Sequence, residues 1–152
     1  MRRLIFRNMS KFQILFEDRH LIACVKPFGV MSQGNEKTRS ICDDINEYLI
    51  GKGENSQAYV IHRLDKTTGG VMVFAKTKVA AGKMSVLIQN GGFHKEYKAV
   101  LCGTPLDKSG ELCDLLYHDK GKNKTYVVKR DRKGVKKARL FYEVVGENEF
   151  NG

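Results

Sequence analysis

Cysteine is sparse in this chain and shows no pattern. Cys24, Cys42, Cys102 and Cys113 are the four among 152 residues, and none forms a Cys-x-x-Cys pair. No histidine lies at zinc-finger spacing from them. This argues against a metal site and for reduced, mostly buried thiols. Long hydrophobic runs are missing too. No apolar stretch approaches the roughly 20 residues that span a bilayer, so no membrane role is expected. The start, Met1-Arg2-Arg3-Leu4-Ile5-Phe6-Arg7, is basic, but its apolar part is too short for a signal peptide. The cytosol is the expected compartment. Internal repeats and low-complexity tracts are absent, which excludes solenoids and biased linkers. A chain of this length then reads as one domain, or part of one.

Acids are scarce relative to bases: 17 Asp and Glu against 27 Lys and Arg, a net charge of +10. The excess is concentrated. From Lys120 to Arg139 there are ten Lys or Arg and one acid, Asp131, a local charge of +9. Tyr126, Val127, Val128, Val135 and Leu140 interleave with the charges, which predicts two strands with a basic face. Such a face suits nucleic-acid phosphates, whose contacts supply affinity and carry no sequence choice.

What is present is a globular pattern. Hydrophobic residues make up 41%, with eight Phe and six Tyr, enough for a core. Residues 12–16 and 21–25 read as short strands around a turn. Pro27 and Gly29 then break the pattern. Ser40 can cap a helix, with Asp43 three residues on, and Ile41, Ile45, Tyr48 and Leu49 form one stripe that ends near Gly51 and Gly53. A buried strand is expected over 71–75. A second helix is expected over 78–89, with Ala81, Met84, Leu87 and Ile88 inward. Further strands are expected over 96–101, 125–129 and 138–145. The fold class is α+β, a mixed, largely antiparallel sheet with packed helices.

The most informative stretch runs from Tyr59 to Lys76. An apolar run enters a polar turn, the turn carries Asp65 between Arg63 and Lys66, and Gly69-Gly70 leads into a second apolar run. A carboxylate held beside a cation on a loop between strands is a candidate nucleophile or general base. An Arg-x-Asp tripeptide alone is more often a solvated surface pair worth little.

The longer block decides between these. His62-Arg63-Leu64-Asp65-Lys66-Thr67-Thr68-Gly69-Gly70-Val71-Met72-Val73-Phe74-Ala75-Lys76 closely resembles the catalytic block of RluA-type RNA pseudouridine synthases. Thr68 replaces the usual serine and keeps its hydroxyl. Two further segments are similar to family motifs: 18–30, with its Lys26-Pro27-Phe28-Gly29, and 93–103, with Lys95-Glu96-Tyr97-Lys98-Ala99. The resemblance implies a cofactor-free, metal-free enzyme that turns uridine in ribosomal or transfer RNA into pseudouridine. It implies Asp65 as the catalytic aspartate, acting on the ribose by attack at C1′ or by removal of a 2′ proton. It implies His62 and Arg63 at the mouth of the pocket and Tyr97 stacked on the target base, all contacting RNA. Residues 1–11 would be a basic N-terminal segment, and 12–152 the N-terminal and central part of the catalytic domain.

The family also carries an Arg-Thr-His-Gln-Ile-Arg-like block that this chain lacks. Residues 147–152 read as a hairpin turn with no strand after it. The expectation is a chain that stops inside its domain, or else a frayed tail. The alternative function is a non-catalytic basic RNA-binding module, a truncated or inactive synthase. A metal-dependent nuclease is a weaker reading, since Asp65 has no acidic neighbours in sequence.

Overall fold

The computed structural model describes residues 12–35 and 37–147, so the basic N-terminal segment and the terminal turn lie outside the described residues. These residues fall into two compact units, 12–96 and 97–147.

The first unit is a four-stranded antiparallel sheet with two helices. Its strands are β1 (Gln13–Glu17), β2 (Leu21–Lys26), β3 (Tyr59–Val60) and β4 (Gly70–Ala75), in the order β1-β2-β4-β3. The register sets Ile22 opposite Phe74 and Cys24 opposite Met72. Side chains alternate across a sheet, so these four share one face. All four are fully buried, together with Ile41, Ile45 and Leu49 of helix α1 (Ile41–Gly51). Helix α1 starts where the local chemistry demands. Ser40 accepts from the Asp43 amide, and the Asp43 carboxylate accepts from the Ser40 amide at 2.8 Å. It ends in a Schellman pair: the Gly53 amide donates to Ile50 and the Glu54 amide to Leu49.

Helix α2 (Lys78–Gln89) begins at Thr77, whose hydroxyl accepts from the Ala80 amide, and ends with Gly91 and Gly92 donating to Ile88 and Leu87. Its bounds match the sequence pattern, but none of its residues is buried. Ala81, Met84 and Ile88 are half-covered, and Leu87 is exposed.

An ion network ties three element ends together. Lys76 is 5% exposed and donates to Glu17 at 2.7 Å and pairs with Glu54 at 2.6 Å. Lys52 also reaches Glu17, at 2.9 Å, and the Tyr48 hydroxyl donates to it. Burial would raise the Glu17 pKa, but these donors outweigh it and bring it down to about 2.

The second unit is a three-stranded antiparallel sheet, order β6-β5-β7, of β5 (Ser109–Asp119), β6 (Lys124–Val128) and β7 (Val135–Glu143). The α+β class with antiparallel pairing holds: all named strand pairs are antiparallel, and the strands divide between two sheets. Three sequence expectations need correction. Residues 96–101 form no strand, since they have no ladder partner among the described residues. The basic run does form two strands, but both pair with β5, and its cations lie in the connecting loops and on both sheet faces. Of the four thiols, Cys24 is buried, Cys42 is half-buried, and Cys102 and Cys113 are exposed.

Candidate active site

Asp65 lies in the loop, residues 61–69, that joins β3 to β4. Gly70 closes this loop with φ +145°, a conformation that L side chains rarely adopt, so the Gly-Gly step has a steric reason. The loop is fastened at alternate residues, once through a side chain and twice through its backbone. At the first point, His62 Nε2 accepts from the Val73 amide of β4 at 3.1 Å. At the second, the Leu64 amide donates to Ser32 Oγ at 3.0 Å, and the Ser32 hydroxyl donates to the Leu64 carbonyl at 2.5 Å. At the third, the Lys66 carbonyl accepts from the Gly29 amide at 2.8 Å. Gly29 has φ +81°, which turns that amide within reach. A turn bond from the Thr68 amide to the Asp65 carbonyl, 3.0 Å, completes the set.

This alternation presents Arg63 and Asp65 to solvent while His62 and Leu64 are half-buried. The Asp65 carboxylate has no hydrogen bond or ion pair among the described residues, and none joins it to Arg63. The cation whose titration feels the Asp65 charge is Lys26. This lysine continues the inward row of Ile22 and Cys24 and is fully buried, opposite Gly70. Its ammonium donates to the carbonyls of Val30 at 2.7 Å and Pro27 at 3.1 Å. Burial lowers the Lys26 pKa, and the charge of Asp65 acts against that.

His62 is packed as well as bonded. Its ring lies 5.0 Å from that of Phe93. Burial, then the charge of Lys95, lowers its pKa below the usual range. Since Nε2 accepts, the neutral ring carries its proton on Nδ1, an atom that is buried with no partner among the described residues. Tyr97 belongs to the second unit and is 62% exposed. The sequence reading singled out Asp65, Arg63, His62 and Tyr97. It missed Ser32, which no motif marks, and gave Lys26 no chemistry.

Comparison with known proteins supplies the context for this loop. A family model described as RNA pseudouridylate synthase matches residues 20–151. The chain is 30% identical over 115 residues to "Ribosomal large subunit pseudouridine synthase C" of Rickettsia bellii, covering 76% of this chain and 38% of that protein. It is also 30% identical over 139 residues to the protein of the same name from Rickettsia conorii, covering 91% of this chain and 45% of the relative. The chain thus spans less than half the length of these relatives. The fold is similar to that of human RNA Pseudouridylate Synthase Domain Containing 4, with TM-score 0.65 and 22% identity, covering 90% of this chain and 54% of that one. With that match over most of its length, the chain belongs to the RNA pseudouridylate synthase family, RluA type.

Proposed function

We propose that the chain carries the catalytic loop of an enzyme that isomerises uridine to pseudouridine in ribosomal or transfer RNA. One observation carries the reading: within the family's catalytic block, Asp65 stands exposed on a loop fastened on both sides of it. A nucleophile or base gains most from being held in place before substrate arrives. Asp65 acts on the ribose, by attack at C1′ or by removal of a 2′ proton. The C1′–N1 bond breaks, uracil turns, and C5 bonds to C1′ as the Asp65 ester is displaced or the 2′ proton is returned. C5 then loses its hydrogen as a proton and N1 takes one up, so product and substrate are isomers. Neither redox chemistry nor a cofactor is needed for that balance.

Arg63, exposed beside Asp65, would grip the phosphate next to the flipped nucleotide, which offsets the few kcal/mol that unstacking costs. His62 and Tyr97 are the remaining proposed RNA contacts. Single-stranded loops are the natural targets, because their bases are already open to stacking. The test is tritium release from RNA labelled at uridine C5. In a full-length form, Asp65→Asn should abolish release while filter binding of RNA persists. Release by that variant would overturn the assignment.

A second reading has its own support. The chain spans 38% to 54% of the three proteins compared above, and all ten cations from Lys120 to Arg139 are exposed. By itself it would then be an RNA-binding module without turnover, its affinity falling steeply with salt. Tritium release by the purified 152-residue chain would rule this out.

A further inference from the structure

Among the fastenings of the loop, the one at Leu64 is unlike the others. The Leu64 amide and carbonyl both need partners, and among the described residues no strand ladder includes Leu64. One hydroxyl serves both: Ser32 Oγ accepts from the amide at 3.0 Å and donates to the carbonyl at 2.5 Å. A serine hydroxyl has one donor and two acceptor sites, so it can do this alone. Ser32 is 4% exposed, which keeps water from competing for either bond. It stands 32 residues away in sequence, on the segment that follows Gly29.

We infer that Ser32 is a positioning residue for Asp65: its hydroxyl takes the place of a neighbouring strand and fixes the residue before the carboxylate. The inference rests on the reading of Asp65 as catalytic. The geometry makes the effect local. His62 remains held by Val73 and Lys66 by Gly29 when Ser32 is changed, so the loop keeps its ends. Between them, Leu64 loses both partners, and the direction of the Asp65 side chain loses its nearest fixed point. Misplacement of a reacting group by about 1 Å can cost 100-fold in rate. Substrate binding, spread over many phosphate contacts, does not depend on that direction.

The test has two arms. In the chain itself, amide hydrogen exchange followed by NMR should show Leu64 exchanging at least about tenfold faster in Ser32→Ala, with Ile22 and Phe74 unchanged within about twofold. Ser32→Cys keeps the shape and weakens both bonds, so it should fall between. It also serves if Ser32→Ala does not fold. Unchanged Leu64 exchange, or a rise shared by Ile22 and Phe74, overturns the inference. In a full-length form that releases tritium, Ser32→Ala should lower kcat by about 10- to 100-fold with KM within about threefold. An unchanged kcat, or a loss confined to KM, also overturns it. If the unsubstituted protein releases no tritium, the proposed function fails, and the exchange arm alone decides the clamp.

Discussion

Glu17 offers the sharpest energetic test of the first unit. It closes β1, and three groups from other elements converge on it: Lys76 after β4, and Lys52 and Tyr48 from the end of α1. Its side chain is 13% exposed, so the pairs are only weakly screened. Consider Glu17→Gln, which keeps the shape and removes the charge. The native pKa of about 2 lies below the usual 4.5. A depressed carboxylate pKa contributes stability above the unfolded value, and the contribution is lost as pH falls toward the folded value. The linkage amounts to about 3 kcal/mol at pH 7 and about half that at pH 3. Urea unfolding of both proteins across that range is the assay. The stability gap between them should narrow steadily once pH drops below about 4.5. A gap that stays constant or widens would mean that Glu17 acts through packing, and the electrostatic argument would fail.

Two further outcomes are expected. Ser40→Ala removes one half of the capping box and should cost about 1 kcal/mol of unfolding free energy, read as a lower urea midpoint; no measurable loss would contradict the assigned cap. His62 should titrate below its ordinary 6.5, because burial and Lys95 disfavour the charged ring and protonated Nε2 would face the Val73 N–H. Its contribution is therefore full above 6.5 and is lost as pH falls through the lowered native value. An NMR midpoint at or above 6.5 would refute this.

The two helices were legible because their signals are local. Ser40 with Asp43, the apolar spacing of residues 78–89, and glycines past each last turn are all short-range signals. Strands are properties of pairs, and the pairing is not local. Residues 96–101 begin with polar and apolar residues in alternation and end in an apolar run, yet they lack a partner among the described residues. The reverse holds for β5. Ser109–Asp119 is the longest strand of the second unit, and its sequence shows no clean alternation. Neither of its faces is deeply covered, so neither is marked by a row of apolar residues. The strand before Asp65 was legible as the apolar run that enters the turn, though its two-residue extent is fixed only by its register with β4, Tyr59 to Ala75.

The same distinction separates the visible and hidden parts of the candidate site. Asp65 could be read because its neighbours in sequence form a specific block. Ser32 could not, since its partner is a backbone that any residue provides. The two are connected by parity. Positions 62, 64 and 66 are held by Val73, Ser32 and Gly29, and positions 63 and 65 face solvent. A slip of one residue exchanges the faces of an alternating segment. In this loop it would put the Asp65 backbone in place of Leu64 at the covered Ser32 hydroxyl. Such a change leaves the composition of the block almost intact and destroys the presentation of the carboxylate. The spacing between the fastened residues, more than the identity of those flanking Asp65, is therefore what the catalytic reading requires.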